Sequence, residues 1–295
     1  MKNQKIALIQ MAMSADSKAN LMKALEKIQE SSRLGASMIC LPELFPWRYF
    51  CQTEDISCFD LAESIPGPIS LELCKAAKKA KVFVLAPIFE RRTLGLYHNS
   101  TVIIDPRGEI TGLYRKMHIP DDPGYYEKYY FAPGDLGFPV FDTGTIRMAT
   151  LTCWDQWFPE AARILALKGT AVIFYPTAIG WHSNEKEEIG LKQREAWRTI
   201  QKAHAIANGI FVASVNRTGI EKAADGGSEI QFWGSSFIAD PFGNIIAEGS
   251  SSNEEIIIGE IDLEEIERVR RNWPFLRDRR VEAYSELNQL YAGAN

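Results

Sequence analysis

The chain has 295 residues, 46% of them hydrophobic and 24% charged, which is enough apolar material for a full core. Its net charge of −5 gives no electrostatic footprint for nucleic acid, and no apolar run approaches the roughly 18 residues of a membrane span. Cysteines at 40, 51, 58, 74 and 153 form no CxxC pair and no His-flanked metal spacing, and no signal peptide is recognisable, so a cytoplasmic protein in a reducing setting without metal or cofactor is expected.

In chain order, Ile6 to Met11 reads as a strand and Ala19 to Arg33 as a helix with Leu21, Leu25 and Ile28 at helical spacing, ended by Gly35. Met38 to Leu41 is a second strand running into Pro42-Glu43. Ser70 to Lys81 is a helix, and Val82 to Phe89 a third strand. Asn99 to Ile104 and Glu109 to Tyr114 form a hairpin around Asp105-Pro106-Arg107-Gly108, where proline suits the second turn position and glycine tolerates positive φ. Met148 to Thr152 is a short buried strand that ends at Cys153. The following helix starts near Pro159 and Glu160 and stops at Gly169.

The second half repeats this plan. Gly35 to Pro42 (GASMICLP) recurs as Gly169 to Pro176 (GTAVIFYP), and Ser100 to Ile110 (STVIIDPRGEI) recurs as Ser235 to Ile245 (SSFIADPFGNI), at offsets of 134 and 135. Two halves supplying strands in the same order predict one α/β domain over residues 1–295, a four-layer α-β-β-α sandwich with a pseudo-twofold repeat. The basic run Arg268 to Arg280 is interleaved with Trp273, Pro274, Phe275 and Leu276. The tail from about 265 to 295 therefore reads as packing on the domain or on a neighbouring subunit.

Equivalent strand ends gather at one edge of such a sandwich, and three residues there carry chemistry. Glu43 follows an apolar strand, where burial would raise its pKa toward neutral, although a loop glutamate is more often solvated. Lys116 follows the first hairpin as a compact positive charge suited to an oxyanion or a thiolate. Its neighbour Arg115 makes a solvated basic face the competing reading. Cys153 sits on a strand-to-helix turn, where nearby helix-end amides would favour thiolate over thiol, or it is a small buried hydrophobe. Of the four histidines, His118 lies close to Lys116 and is a candidate site-lining group, and His204 on an alanine-rich helical face reads as structural.

Glu43 in CLPELF, Lys116 in YRKMHIP and Cys153 in LTCWDQWFPE stand in an order that resembles the nitrilase superfamily of carbon-nitrogen hydrolases, over nearly the whole chain up to about Tyr284. The resemblance implies the same sandwich fold, with Cys153 as nucleophile, Glu43 as general base and acid, and Lys116 as oxyanion stabiliser beside the Trp154 amide. It also implies that Glu127, in PDDPGYYEKYYFAPGD, orients Lys116 and the substrate amide. The segments CWDQWFPEAAR, YPTAIGW and NWPFLRDRR are similar to members that act on carbamoylated amines, and the family implies a homodimer or larger assembly.

The residues after the cysteine support a cationic substrate. The resemblance implies that members hydrolysing carbamoylated amino acids place an arginine shortly after the cysteine to hold a carboxylate; here Asp155, Gln156 and Trp157 stand there, and acidic and aromatic groups suit a cationic amine on an alkyl chain. The competing reading is that Asp155 caps the following turn and Trp157 belongs to the core. Asp155 and the Glu185, Glu187, Glu188 group are the candidates for holding the distal amine. Alternative readings are another amidase of the superfamily, acting on aliphatic or ω-amides or resembling β-ureidopropionase, and a scaffold that kept the fold without catalysis.

Overall fold

Asp16 starts the first helix by accepting hydrogen bonds from the Lys18 and Ala19 amides, and proline occupies the first position of two later helices, where no amide partner is lost. The computed structural model describes residues 3–182, 185, 189–223 and 226–293. The first half runs β1 (Gln4–Gln10), α1 (Ser17–Arg33), β2 (Met38–Cys40), α2 (Pro68–Ala80), β3 (Phe83–Thr93), β4 (Leu96–Ile104), β5 (Ile110–Arg115) and the short α3 (Glu127–Tyr130). The second runs β6 (Phe141–Asp142), β7 (Arg147–Thr150), α4 (Pro159–Leu167), β8 (Val172–Thr177), β9 (Gly180–His182), α5 (Leu191–Asn208) and β10 (Phe211–Asn216). It continues through β11 (Thr218–Lys222), β12 (Glu229–Trp233), β13 (Phe237–Ala239), β14 (Ile245–Glu248), β15 (Glu255–Ile261) and α6 (Leu263–Asn272).

The expected repeat is visible in the strand order. One sheet runs β15-β1-β2-β3-β4-β5 and the other β6-β7-β8-β10-β13-β14. In each, three central strands are parallel, the last two are antiparallel, and an antiparallel strand closes the opposite edge. Three apolar clusters separate the layers. Ala24, Ile28, Leu73 and Ala77 pack α1 and α2 on Ile9, Ile39 and Val84 of the first sheet. Ile6, Met38, Leu85 and Ile103 meet Met148, Phe174, Phe211 and Ile238 between the sheets. Leu165, Trp197 and Ala205 pack α4 and α5 on Ile173 and Val212 of the second sheet. Strands with both faces covered must be apolar throughout, which is why their sequences read as continuous runs rather than alternations.

Two local features differ from expectation. The β3–β4 hairpin extends to Thr93 and Leu96, because the polar segment Glu90-Arg91-Arg92-Thr93 continues the ladder beyond the core with its last residues exposed. Second, β9, β11 and β12 form a small third sheet with no counterpart among the described residues of the first half.

After α6, the Trp273 ring contacts Phe242 edge-on with centroids 5.4 Å apart. Val281, Leu287, Leu290 and Tyr291 beyond it are exposed. No helix among the described residues is long and apolar enough to cross a membrane.

Candidate active site

Glu43 lies just beyond β2, where the chain turns through Leu44 at φ +48°, and its side chain is fully buried. One carboxylate oxygen, Oε1, accepts from Asn99 Nδ2 at 2.7 Å and from Lys116 Nζ at 2.8 Å. The other has no hydrogen-bond partner among the described residues, so one oxygen of this carboxylate remains uncommitted. Lys116 follows β5. Its backbone is fixed by an amide bond to Asn99 O (2.8 Å) and by accepting from the Gly134 amide (2.8 Å). The second contact requires glycine, since a Cβ at position 134 would lie 2.0 Å from the Arg115 carbonyl oxygen. Glu127, which opens α3, completes a line of three fully buried charges, accepting from Lys116 Nζ at 2.6 Å and from Tyr49 Oη at 2.7 Å.

A single ammonium between two carboxylates leaves the triad with a net negative charge in a dry interior. Burial pushes Glu127 up to about 7 against the pull of Lys116, and Glu43 adds to the rise. Burial alone would lower Lys116, but Glu127 and Glu43 together hold its pKa well above the ordinary lysine value. Lys116 therefore stays cationic while Glu127 lies within reach of a proton at neutral pH. Arg115, next to it, does not form a solvated face. It is buried, with Nη2 2.6 Å from Glu90 Oε1 and Nη1 2.8 Å from Asp135 Oδ1.

Cys153 comes from the second half, at the start of a 3-10 turn (Cys153–Trp157) that separates β7 from α4. Its φ of +45° places a β-carbon in the left-handed region, a strained conformation for a non-glycine residue. Its Sγ lies 3.9 Å from the Ala178 carbonyl oxygen. The stabilised thiolate expected from nearby helix-end amides is reversed here. Burial raises the thiol pKa well above its usual value, Glu43 and Glu127 add to the rise, and only Lys116 and the Ala178 contact oppose it. A thiol in this setting needs a base at the moment of attack.

Two expected substrate contacts have other partners. Asp155 is buried and fully engaged: Oδ2 accepts from the Thr152 amide (2.8 Å) and Tyr114 Oη (2.6 Å), and Oδ1 accepts from the His118 amide (3.0 Å). His118 Nδ1 lies 2.7 Å from the same Oδ1, and its ring stacks on Phe158 with centroids 3.7 Å apart. Neither residue lines the cavity at Cys153. Together they tie the cysteine turn to the segment carrying Lys116.

Trp154 and Trp157 do line that cavity, which measures about 470 Å³ and is walled also by Tyr125, Ile179 and Trp233. Asp122, Glu185 and His182 are its only ionisable lining groups besides Tyr125 and Cys153 among the described residues. It shares Pro123, His182 and Glu185 with a polar outer chamber of about 1000 Å³. Glu187 and Glu188 lie outside the described residues. His204 is structural, its Nε2 2.8 Å from Gln156 O.

Tyr49, Asn99 and Tyr125 were not among the sequence-predicted site residues. Asn99 is the recognisable one of the three, as a buried amide within β4 that lies level with Lys116 across the hairpin.

A family model for carbon-nitrogen hydrolases matches residues 5–271. The chain belongs to the carbon-nitrogen hydrolase family. It is an amidohydrolase of the nitrilase superfamily. Among other carbon-nitrogen hydrolases, an N-carbamoylputrescine amidase of Solanum lycopersicum is 41% identical over 97% of this chain and 95% of its own. A citrullinase of Francisella tularensis subsp. tularensis is 40% identical over 99% of this chain and 100% of its own. The crystal structure of a carbon-nitrogen hydrolase from Helicobacter pylori G27 superposes with a TM-score of 0.95 at 43% identity, covering 99% of this chain and 100% of that one.

Proposed function

We propose that this carbon-nitrogen hydrolase cleaves N-carbamoylputrescine to putrescine, carbon dioxide and ammonia. The observation that carries the choice of substrate is the lining of the cavity at Cys153, which has aromatic and aliphatic walls, the carboxylates Asp122 and Glu185, and no Arg or Lys among the described lining residues. An alkyl chain ending in an ammonium matches those walls by burial, cation-π contact and charge pairing. Citrulline, named for the Francisella relative, carries the same ureido group but ends in an α-carbon that bears both an ammonium and a carboxylate. Its ammonium would meet the same carboxylates, but its carboxylate would lie beside them with no Arg or Lys among the described residues lining the cavity at Cys153 to pair with.

In the proposed mechanism Glu43 takes the Cys153 proton as sulfur attacks the ureido carbon. Lys116 and the Trp154 amide hold the oxyanion, and Glu127 orients Lys116 and the substrate amide. Glu43 returns the proton to the departing ammonia as the carbon-nitrogen bond breaks, leaving an alkylcarbamoyl thioester on Cys153. Glu43 then activates water on that thioester; the released carbamate loses carbon dioxide and leaves the free diamine.

Comparing kcat/KM for N-carbamoylputrescine, citrulline and a neutral aliphatic amide of equal length tests the reading, and the carbamoylated diamine is expected to lead. Glu185→Gln is expected to reduce the advantage of the diamine over the neutral amide about tenfold, the size of one lost charge-assisted contact. A preference for citrulline, or an unchanged ratio in both Glu185→Gln and Asp122→Asn, would sink it.

The same reading includes self-association through the tail, supported by the exposed apolar side chains of Val281, Leu287, Leu290 and Tyr291. Deleting residues 281–295 is expected to lower the mass measured by light scattering to that of a smaller assembly; an unchanged mass refutes the tail as the contact. The five cysteines are all unpaired, which fits the reducing cytoplasm proposed for it.

A further inference from the structure

Arg217 and Glu221 form a buried ion pair, 2.9 Å between Nη1 and Oε1, that has no part in the steps above. Both residues come from the second half, Arg217 from the junction of β10 and β11 and Glu221 from β11, and they are 0% and 1% exposed. Their further hydrogen bonds reach into the first half. Arg217 Nη2 donates to the Glu43 carbonyl oxygen at 2.5 Å and Nη1 to the Trp47 carbonyl oxygen at 3.2 Å. Glu221 Oε2 accepts from the Tyr49 amide at 2.6 Å, and the Tyr49 hydroxyl reaches Glu127. The guanidinium also lies 5.2 Å from the Phe232 ring centre and 5.8 Å from that of Tyr49.

The geometry points to Arg217 and Glu221 as a positioning pair that sets the two carboxylates on either side of Lys116 by gripping both ends of the loop from Glu43 to Tyr49. Neither side chain lines the cavity at Cys153, so neither is a catalytic residue. A buried ion pair adds little net stability over an apolar pair of the same shape, and what this one supplies is a fixed geometry. The planar fork of arginine serves two carbonyls and a carboxylate at once, which a lysine ammonium on a flexible stem does not reproduce. The inference rests on the proposed roles of Cys153, Glu43, Lys116 and Glu127.

The test uses full-length Arg217→Lys, Glu221→Gln and Glu221→Ala with N-carbamoylputrescine. Reactive Cys153 is titrated with iodoacetamide, so that rates are counted per competent site. Arg217→Lys is expected to lower kcat about 10²-fold, the cost of small misplacements at a reacting centre, with KM within about threefold of wild type. Glu221→Gln keeps an amide oxygen able to accept from the Tyr49 amide, and it should retain more kcat than Glu221→Ala. Wild-type kcat per site in Arg217→Lys and Glu221→Ala overturns the proposal, as does a loss confined to KM or to the number of titratable sites.

Should these variants fail to fold, Tyr49→Phe carries the test. It keeps the backbone link to Glu221 and deletes only the hydroxyl on Glu127. A fall in kcat of about tenfold at constant KM is expected; an unchanged kcat refutes the relay. Activity remaining in Cys153→Ala would instead defeat the proposed chemistry, whereas an inactive Cys153→Ala beside fully active positioning variants defeats this inference alone.

Discussion

Cys153→Ala is expected to remove ammonia release almost completely, lowering kcat by about 10⁵-fold or more, since Cys153 is the proposed nucleophile and deleting a covalent nucleophile costs as much as removing the whole set it works with. The side chain is small and buried at the start of the 3-10 turn after β7, and alanine fits within the same volume. Substrate affinity should survive, because the walls of the cavity are supplied by Tyr125, Trp154, Trp157 and Trp233. Calorimetric titration of the alanine variant with N-carbamoylputrescine is therefore expected to show binding without turnover. More than a hundredth of wild-type kcat in this variant would mean that water attacks the substrate directly and that no thioester forms.

Lys116→Met has two effects that arise from one contact pattern. Lys116 Nζ lies 2.8 Å from Glu43 and 2.6 Å from Glu127, and all three side chains are fully buried. Removing the cation takes away the proposed oxyanion partner, a loss of about 10² to 10³ in kcat. It also leaves two carboxylates buried together, which costs about 3–5 kcal/mol when a buried pair is broken from one side.

The pH dependence of that cost has a definite sign. Lys116 is the main influence drawing Glu127 down from its burial-raised value, so in the variant Glu127 moves above about 7. A carboxyl whose folded pKa exceeds its unfolded value holds a proton in the folded state after the unfolded chain has released it. Stability then falls as pH rises from about 4.5 through the folded value. Thermal melts of Lys116→Met should accordingly lie closer to wild type at pH 5 than at pH 8. Equal losses at the two pH values, together with near-wild-type kcat, would remove Lys116 from both roles.

The layered fold was legible because its signals are local and occur twice. The GxxxIxxP blocks and the DPxG turns sit at nearly equal offsets, and each marks a strand whose neighbours follow in the same order. Glu43, Lys116 and Cys153 were legible as residues on equivalent strand ends. Their environment was less so, since the sequence shows the turn amides near Cys153 but not the burial and the two carboxylates that outweigh them.

Asp155 misled because its short side chain, two residues after the cysteine, serves its own turn and the Lys116 segment. Arg217 and Glu221 left no trace, since their partners lie about 170 positions away and contacts of that separation impose no spacing on either segment. The third sheet was invisible for another reason, having no counterpart in the first half to repeat it.

The matching strand orders bear on the history of the chain as well as on its shape. Each half supplies five strands in the same order to its sheet, the pattern a duplicated unit leaves, and the two copies differ in what they hold. The proposed proton-handling and cationic groups all lie in the first copy, while the thiol and the arginine that grips the Glu43 backbone lie in the second. Neither copy retains a working complement. The proposed site is therefore completed only where the two copies meet, and the symmetry present in the backbone is absent from the chemistry.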